Sequence, residues 1–514
     1  MNAYRFLWLP EFIQRILLAL VRRKNKLLVN LHKPNYSDSI KKYQLCRPLG
    51  PKPVICYAPF KSMYFGMNGK VVACCLNRSH VFGRYPEQNI SEIWNGQKIK
   101  ELRDVLKHAD LSKGCFHCKN RIDDGNFDAV EAALFDVIPL KNHYPAMMEF
   151  ELSNECNLQC IMCTPEFSSS IGREMGKAAA EKNIYDENFV SQLDEFIPHL
   201  VKAKFLGGEP FLIKAYYKIW ERIIQLNPKC MLLVQTNATV LDDRIKSLLE
   251  RGNFRVGVSI ESIRKETLER IRKNCSFEKV ISNIVYFSEY AKRKKTPFSI
   301  SVCPMRQNWE ELPEIIEQCN TWNAGVYFNT VWTPAGCSLY HMPLKELIVV
   351  WDTLKFKKLP SNSLTAKRNK IHFDDFVKQL ESWVIQKREK LEKNKQEFAK
   401  WEEDGIWLEK TETNELVQSI RNKIIHYFQQ NKTVEQNDND SISLIKKLDM
   451  VIDGFQQDIY LKRAIYKLND FPDELIVQEL LGSDIDKLKD VTESIIEECK
   501  TDEIKIKSEI NGDV

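Results

Sequence analysis

Residues 146–163 read AMMEFELSNECNLQCIMC: an apolar run over Met148–Leu152, then Cys156, Cys160 and Cys163 in a C-x3-C-x2-C spacing. The run has the length and composition of a buried strand. Helical spacing would splay the three thiols, so they can wrap one metal centre only from a loop. Structural zinc sites close with four ligands, and iron–sulfur clusters commonly take four cysteines. Three ligands leave one metal position open, and an open position is where chemistry happens.

Outward from this stretch the chain alternates short apolar runs with helical patterns. The further strands expected are Ala203–Leu206, Met231–Gln235, Phe254–Ile260, Phe298–Val302 and Val326–Val331. Between them lie crossover-length helical segments such as KAYYKIWERIIQ at 214–225. Alternation of this kind predicts an α/β fold, a partial, six-stranded β/α barrel of parallel strands with right-handed crossovers. Active residues in such an architecture gather at the C-terminal strand ends.

With its Cys loop, the segment 146–333 resembles the radical S-adenosylmethionine (SAM) superfamily. The resemblance implies that Cys156, Cys160 and Cys163 hold three irons of a catalytic 4Fe–4S cluster. SAM would chelate the fourth iron and be split reductively, giving a 5′-deoxyadenosyl radical that abstracts a substrate hydrogen atom. Met162 stands where the family commonly has an aromatic residue, and adenine is expected to meet backbone there. Gly207-Gly208-Glu209-Pro210 matches the motif that binds the SAM amino group, with Glu209 placed to accept from the ammonium. Asn237, after Thr236, and Ser259 and Glu261 fall where the family faces the ribose and methionyl groups. Arg306 and Asn308 follow the fifth strand and suit either the SAM carboxylate or, for Asn308, a helix cap. Cys337 in TPAGCSLYH is either a hydrogen-atom donor at the barrel mouth or a buried thiol.

Upstream lies a second constellation, Cys56-x12-Gly69-x4-Cys74 followed by Cys115-x2-Cys118, with a capping box Asn89-Ile-Ser-Glu92 opening a helix between them. It resembles the SPASM/Twitch auxiliary-cluster domain and implies a second 4Fe–4S cluster. Zinc takes the same four-thiol set. Cys75 neighbours Cys74 and leaves that ligand ambiguous.

The domain organisation expected is an amphipathic N-terminal helix and linker (1–44), the auxiliary domain (45–140), the barrel (141–339) and a charged helical C-terminal region (340–514). The 514 residues are 43% hydrophobic and 28% charged with a net charge of +5, a soluble composition with no case for nucleic acid. Residues 471–514 carry 13 acidic and 5 basic side chains, which reads as a solvated acidic tail. The apolar stretch 4–21 is interrupted by Glu11, Gln14 and Arg15, so no transmembrane segment forms; it suits packing on the protein or weak membrane-surface contact. Fifteen cysteines without a secretory signal imply a cytoplasmic, reducing location. The enzyme expected attacks a peptide or protein, with a sugar or aminocyclitol as runner-up. A non-catalytic iron–sulfur carrier or scaffold is the alternative from another class. An external electron donor of flavodoxin or ferredoxin type is implied.

Overall fold

The computed structural model describes residues 36–404 apart from 48, 142 and 177–183, then 417–426, 439–453 and scattered positions between 476 and 497. The expected helix at 4–21 lies outside the described residues.

The sheet is mostly parallel, and a strand lies at each of the apolar runs: β4 (Met147–Phe150), β6 (Lys202–Phe205), β7 (Met231–Thr236), β8 (Phe254–Ser259), β10 (Ser299–Val302) and β11 (Gly325–Phe328). The sheet they build is larger. On the far side of β4 it gains β1 (Ser62–Phe65), parallel to β4, and then β2 (Lys70–Val72) and β3 (Gly83–Arg84), both antiparallel. The order β11-β10-β8-β7-β6-β4-β1-β2-β3 is open, as a partial barrel requires. Elements of the expected auxiliary domain are therefore strands of the same sheet.

Register assigns the two faces. Met63, Met148, Ala203, Leu232 and Phe254 form one row across the sheet, and Phe65, Phe150, Phe205, Val234 and Val256 the next. All ten are buried, and Phe150 stacks at 5.4 Å on Phe65 and 5.1 Å on Phe205. Trp220 of the helix Lys214–Leu226 packs edge-on against Phe205 and Phe254 from this side. The alternate row, Tyr64, Glu149, Lys204, Leu233 and Arg255, makes the opposite face polar. Period-2 alternation separates the faces.

The C-terminal boundary differs from the expected 339/340. The chain divides into compact units at 385/386, inside the helix Leu364–Asp404. Leu347, Val350, Phe373, Phe376, Leu380 and Trp383 belong to the core around the sheet. Buried Asn369 covers the open edge: it accepts from the Val326 N–H at 2.8 Å and donates to the Ala324 carbonyl at 2.9 Å. The second unit has its own apolar cluster, including Val417, Ile420, Ile424, Leu444, Leu448 and Val451. Among the described residues no helix is long and apolar enough to cross a membrane.

Candidate active site

The loop after β4 carries all three clustered thiols. Cys160 lies in β5 (Gln159–Cys160), which pairs antiparallel with β9 (Arg272–Lys273), Cys160 opposite Arg272. Further bonds hold the loop's shape. The Cys156 N–H donates to Ser169 Oγ at 3.2 Å, Ser168 Oγ to the Leu158 carbonyl at 2.7 Å, and the Cys163 N–H to the Cys160 carbonyl at 3.0 Å. Burial raises all three thiol pKa values, that of Cys160 to about 12, and the charges of its neighbours Cys163 and Cys156 push it the same way. Three thiols close enough to feel one another stay neutral until a cation takes their protons' place.

A buried ion pair supports the loop from below. Arg272 donates through Nη2 to Glu261 Oε1 at 3.0 Å and through Nε to Glu261 Oε2, and both side chains are almost wholly buried. Burial alone would lower the Arg272 pKa, but Glu261 and Cys160 hold the guanidinium charged and raise it. Its positive charge favours the thiolate form of all three loop cysteines. Sequence reasoning missed Arg272, because a charged residue at the end of a helix carries no local signal. Cys303, just after β10, sits in the same field and packs in the apolar cluster that holds Met162 and Cys337.

Two expected ligand contacts are corrected. Glu209 is fully buried and accepts from Thr236 Oγ1 at 2.7 Å, the Asn237 N–H at 2.7 Å and the Phe211 N–H at 3.1 Å. Burial raises its pKa while these donors oppose the rise. It ties the ends of β6 and β7 together instead of facing an ammonium, because a buried carboxylate must first satisfy its own lone pairs. Glu261 is likewise engaged within the chain, by Arg272. Asn308 does not cap through its side chain: it donates to the carbonyls of Glu261 at 2.8 Å and Cys303 at 3.0 Å, pinning the ends of β8 and β10.

The remaining candidates surround the loop. Gly207 and Gly208 press their backbones against it, with the Gly208 N–H on the Ser153 carbonyl at 3.0 Å and the Glu209 N–H on that of Glu155 at 2.7 Å. A Cβ on Gly208 would collide with the Glu155 carbonyl. Gly208→Ala is therefore expected to push the Cys156 loop out of place and cut iron retention at that site, read as iron per chain after reconstitution. Pro210 follows, and its carbonyl accepts from the Ile213 N–H. Asn237 Nδ2 donates to Asn157 Oδ1 at 3.1 Å and lies 3.9 Å from Cys156 Sγ. Ser259 Oγ accepts from Gln235 Nε2 at 2.8 Å. Arg306 holds the TPAGC loop through the carbonyls of Cys337 and Ser338, both at 3.0 Å. Cys337 itself is buried, with Sγ 3.5 Å from the Ile161 carbonyl of the Cys loop.

A second cavity collects Cys56, Cys74, Cys115 and Cys118 from three places in the chain, within a lining of Ala73, Leu102 and Leu106. Cys75 is not in that lining. Its thiol, raised to about 11 mainly by burial, feels Glu149 and Lys204 on the polar face of the sheet. Each of the four cavity sulfurs meets N–H donors. The Ala58 N–H donates to Cys56 Sγ at 3.4 Å and Asn77 Nδ2 to Cys115 Sγ at 3.3 Å. Backbone N–H groups of Leu76 and Asn77 serve Cys74, and those of Glu131 and Ala132 serve Cys118. Such donors stabilise sulfur that carries negative charge. Among the described residues no three Cys, His, Asp or Glu side chains close on a single ion; the thiols ring a cavity instead.

Residues 150–319 match the model of the radical SAM superfamily, and residues 56–119 match that of the SPASM iron–sulfur cluster-binding domain. Residues 150–319 thus form a radical SAM domain, preceded by a SPASM domain over residues 56–119. The radical SAM domain implies a 4Fe–4S cluster and SAM as cofactors, and the SPASM domain an auxiliary iron–sulfur cluster. Both thiol sets fit such groups: a three-thiol loop under a buried cation, and four thiols with N–H donors around one cavity. Among curated relatives, the probable GTP 3′,8-cyclase of Methanocaldococcus jannaschii is 28% identical over 178 residues, 34% of this chain and 54% of that protein. The GTP 3′,8-cyclase of a Synechocystis species is 27% identical over 184 residues, 35% and 52% of the two chains. The chain thus spans about half the length of these relatives. Among solved structures, native anSMEcpe with bound AdoMet aligns with a TM-score of 0.32 at 21% identity, over 40% of this chain and 59% of that one. Streptococcus suis SuiB bound to S-adenosylmethionine aligns with a TM-score of 0.32 at 13% identity, over 52% and 61%.

Proposed function

We propose that this radical SAM enzyme cleaves SAM reductively and removes a hydrogen atom from an unactivated C–H bond of a peptide or protein substrate. The observation that carries this reading is the three-thiol loop at the C-terminal end of β4, braced by Arg272 and pressed by the Gly207–Gly208 backbone. Bound there, the cluster and SAM supply an electron and a 5′-deoxyadenosyl radical. Cys156, Cys160 and Cys163 hold three irons and leave the fourth to SAM. The carbonyls of Gly207 and Gly208 receive the SAM amino group, with Glu209 behind them as a brace. Backbone at Met162 meets adenine, Ser259 and Asn237 face the ribose and methionyl groups, and Arg306 meets the carboxylate. Electrons come from an external flavodoxin- or ferredoxin-type donor.

Cys56, Cys74, Cys115 and Cys118 hold the auxiliary cluster, and Cys75 does not. Thiols spread around a cavity support a four-iron cluster over a single zinc. Cys74→Ser is expected to cost about four irons per chain, whereas Cys75→Ser keeps them; equal loss in both would reject the assignment. A small polar substrate, a sugar or a nucleotide like that of the cyclase relatives, is the second reading. The polar face of the sheet favours it. Anaerobic reconstitution with SAM and dithionite tests the chemistry: 5′-deoxyadenosine is expected, and none from fully iron-loaded protein would refute the proposal.

A further inference from the structure

The polar face of the sheet carries a cavity of about 460 Å³ that none of the cluster or SAM residues lines. Its lining includes Lys204, Gln235, Arg255, Tyr327, Arg368 and His372. The first four come from β6, β7, β8 and β11, and the last two from the helix Leu364–Asp404. The volume lies in the range of ordinary small-molecule sites.

Charge in this lining has one sign. Lys204, Arg255 and Arg368 are cations, burial lowers the His372 pKa, and no carboxylate lines the cavity among the described residues. Lys204 is partly offset by Glu149 beneath it, 3.4 Å away. Arg255 is not offset in this way: its Nε is buried with no hydrogen-bond partner. A buried donor left unmade calls for an explanation, and a ligand oxygen supplies one. Guanidinium groups suit phosphate and carboxylate because their planar fork matches both.

Position joins this cavity to the reaction. Gln235 lines it and donates to Ser259 at the end of β8, so one side chain links the cavity to the strand end. Four residues of strand separate Arg255 from Ser259, about 13 Å at the rise of a parallel strand.

We propose that this cavity anchors an oxyanion, a phosphate or a carboxylate, of the molecule whose C–H bond is attacked at the strand ends above it. The proposal rests on the radical reading given above and narrows its substrate to one bearing an acidic group remote from the carbon attacked at the strand ends.

The test is calorimetric titration of the full chain with pyrophosphate and, separately, with glutarate. At least one binds the wild-type chain, and the tighter of the two tells a phosphate ester from a carboxylate. Arg255→Gln is expected to weaken that binding about 10- to 100-fold, the loss of one charge-assisted bond pair, and Arg255→Lys to recover part of it. Arg368→Gln, at an exposed helical position, is expected to weaken it several-fold and serves if the strand variant does not fold. Arg293→Gln, paired with Glu250 on the outer surface, leaves binding unchanged. Binding of neither anion at millimolar concentration, or equal binding by the wild type and both glutamine variants, overturns the proposal. Reductive SAM cleavage by the wild type separates the two readings. Anion binding without 5′-deoxyadenosine sinks the radical chemistry and spares the cavity, and the reverse result sinks the cavity alone.

Discussion

Cys160→Ala is expected to lower bound iron from about eight atoms per chain to about four and to reduce 5′-deoxyadenosine formation to background. Cys160 is the most constrained of the three loop thiols. It sits in the β5–β9 ladder opposite Arg272, and its sulfur lies in the field of Cys156, Cys163 and that guanidinium. The four thiols of the auxiliary cavity come from other elements, and among the described residues no hydrogen bond joins them to this loop. Iron should therefore disappear from one site alone. Iron analysis with 5′-deoxyadenosine quantification checks both halves; loss of all eight irons would mean that the sites are not independent.

Arg272→Met should destabilise the chain by about 3–5 kcal/mol, because it strands the Glu261 carboxylate in an interior with no other cation against it. The exposed pairs, such as Arg264 with Glu314, are worth about 0–1 kcal/mol each. The double variant Arg272→Met with Glu261→Leu should recover most of that loss, since removing both charges removes the desolvation cost as well. Urea unfolding midpoints of the single and double variants decide it. A single variant as stable as wild type would show that the pair does not brace the loop.

What could be read from the sequence and what could not divide along one physical line. The three cysteines, the strand that presents them and the glycine pair at the next strand end are local patterns, each complete within a few residues. The partners of Glu209 and Glu261 are not local. Thr236 and Asn237 lie on the next strand, and Arg272 follows a helix, so no spacing rule links them to the carboxylates they neutralise. Both carboxylates accordingly look like ligand contacts in sequence and prove to be braces in three dimensions. The pairing of β1 with β4 joins four residues of SMYF to a strand some eighty positions later, and a run that short has no periodicity to read. The C-terminal boundary was hidden by charge: Phe373, Phe376, Leu380 and Trp383 form a helical stripe inside a stretch whose Lys and Glu content suggests solvent on every side. The choice between Cys74 and Cys75, which the sequence had already posed, turns on which of the two lines the cavity.

The central claim is that one iron on the Cys156–Cys160–Cys163 loop is left for SAM. Electron paramagnetic resonance of the dithionite-reduced Cys74→Ser variant, in which the loop cluster is observed alone, tests it most directly. A spectrum that changes when SAM is added, with 5′-deoxyadenosine formed on standing, is the predicted result. A spectrum identical with and without SAM would contradict it, because a cluster already fully coordinated by protein has no place for a ligand.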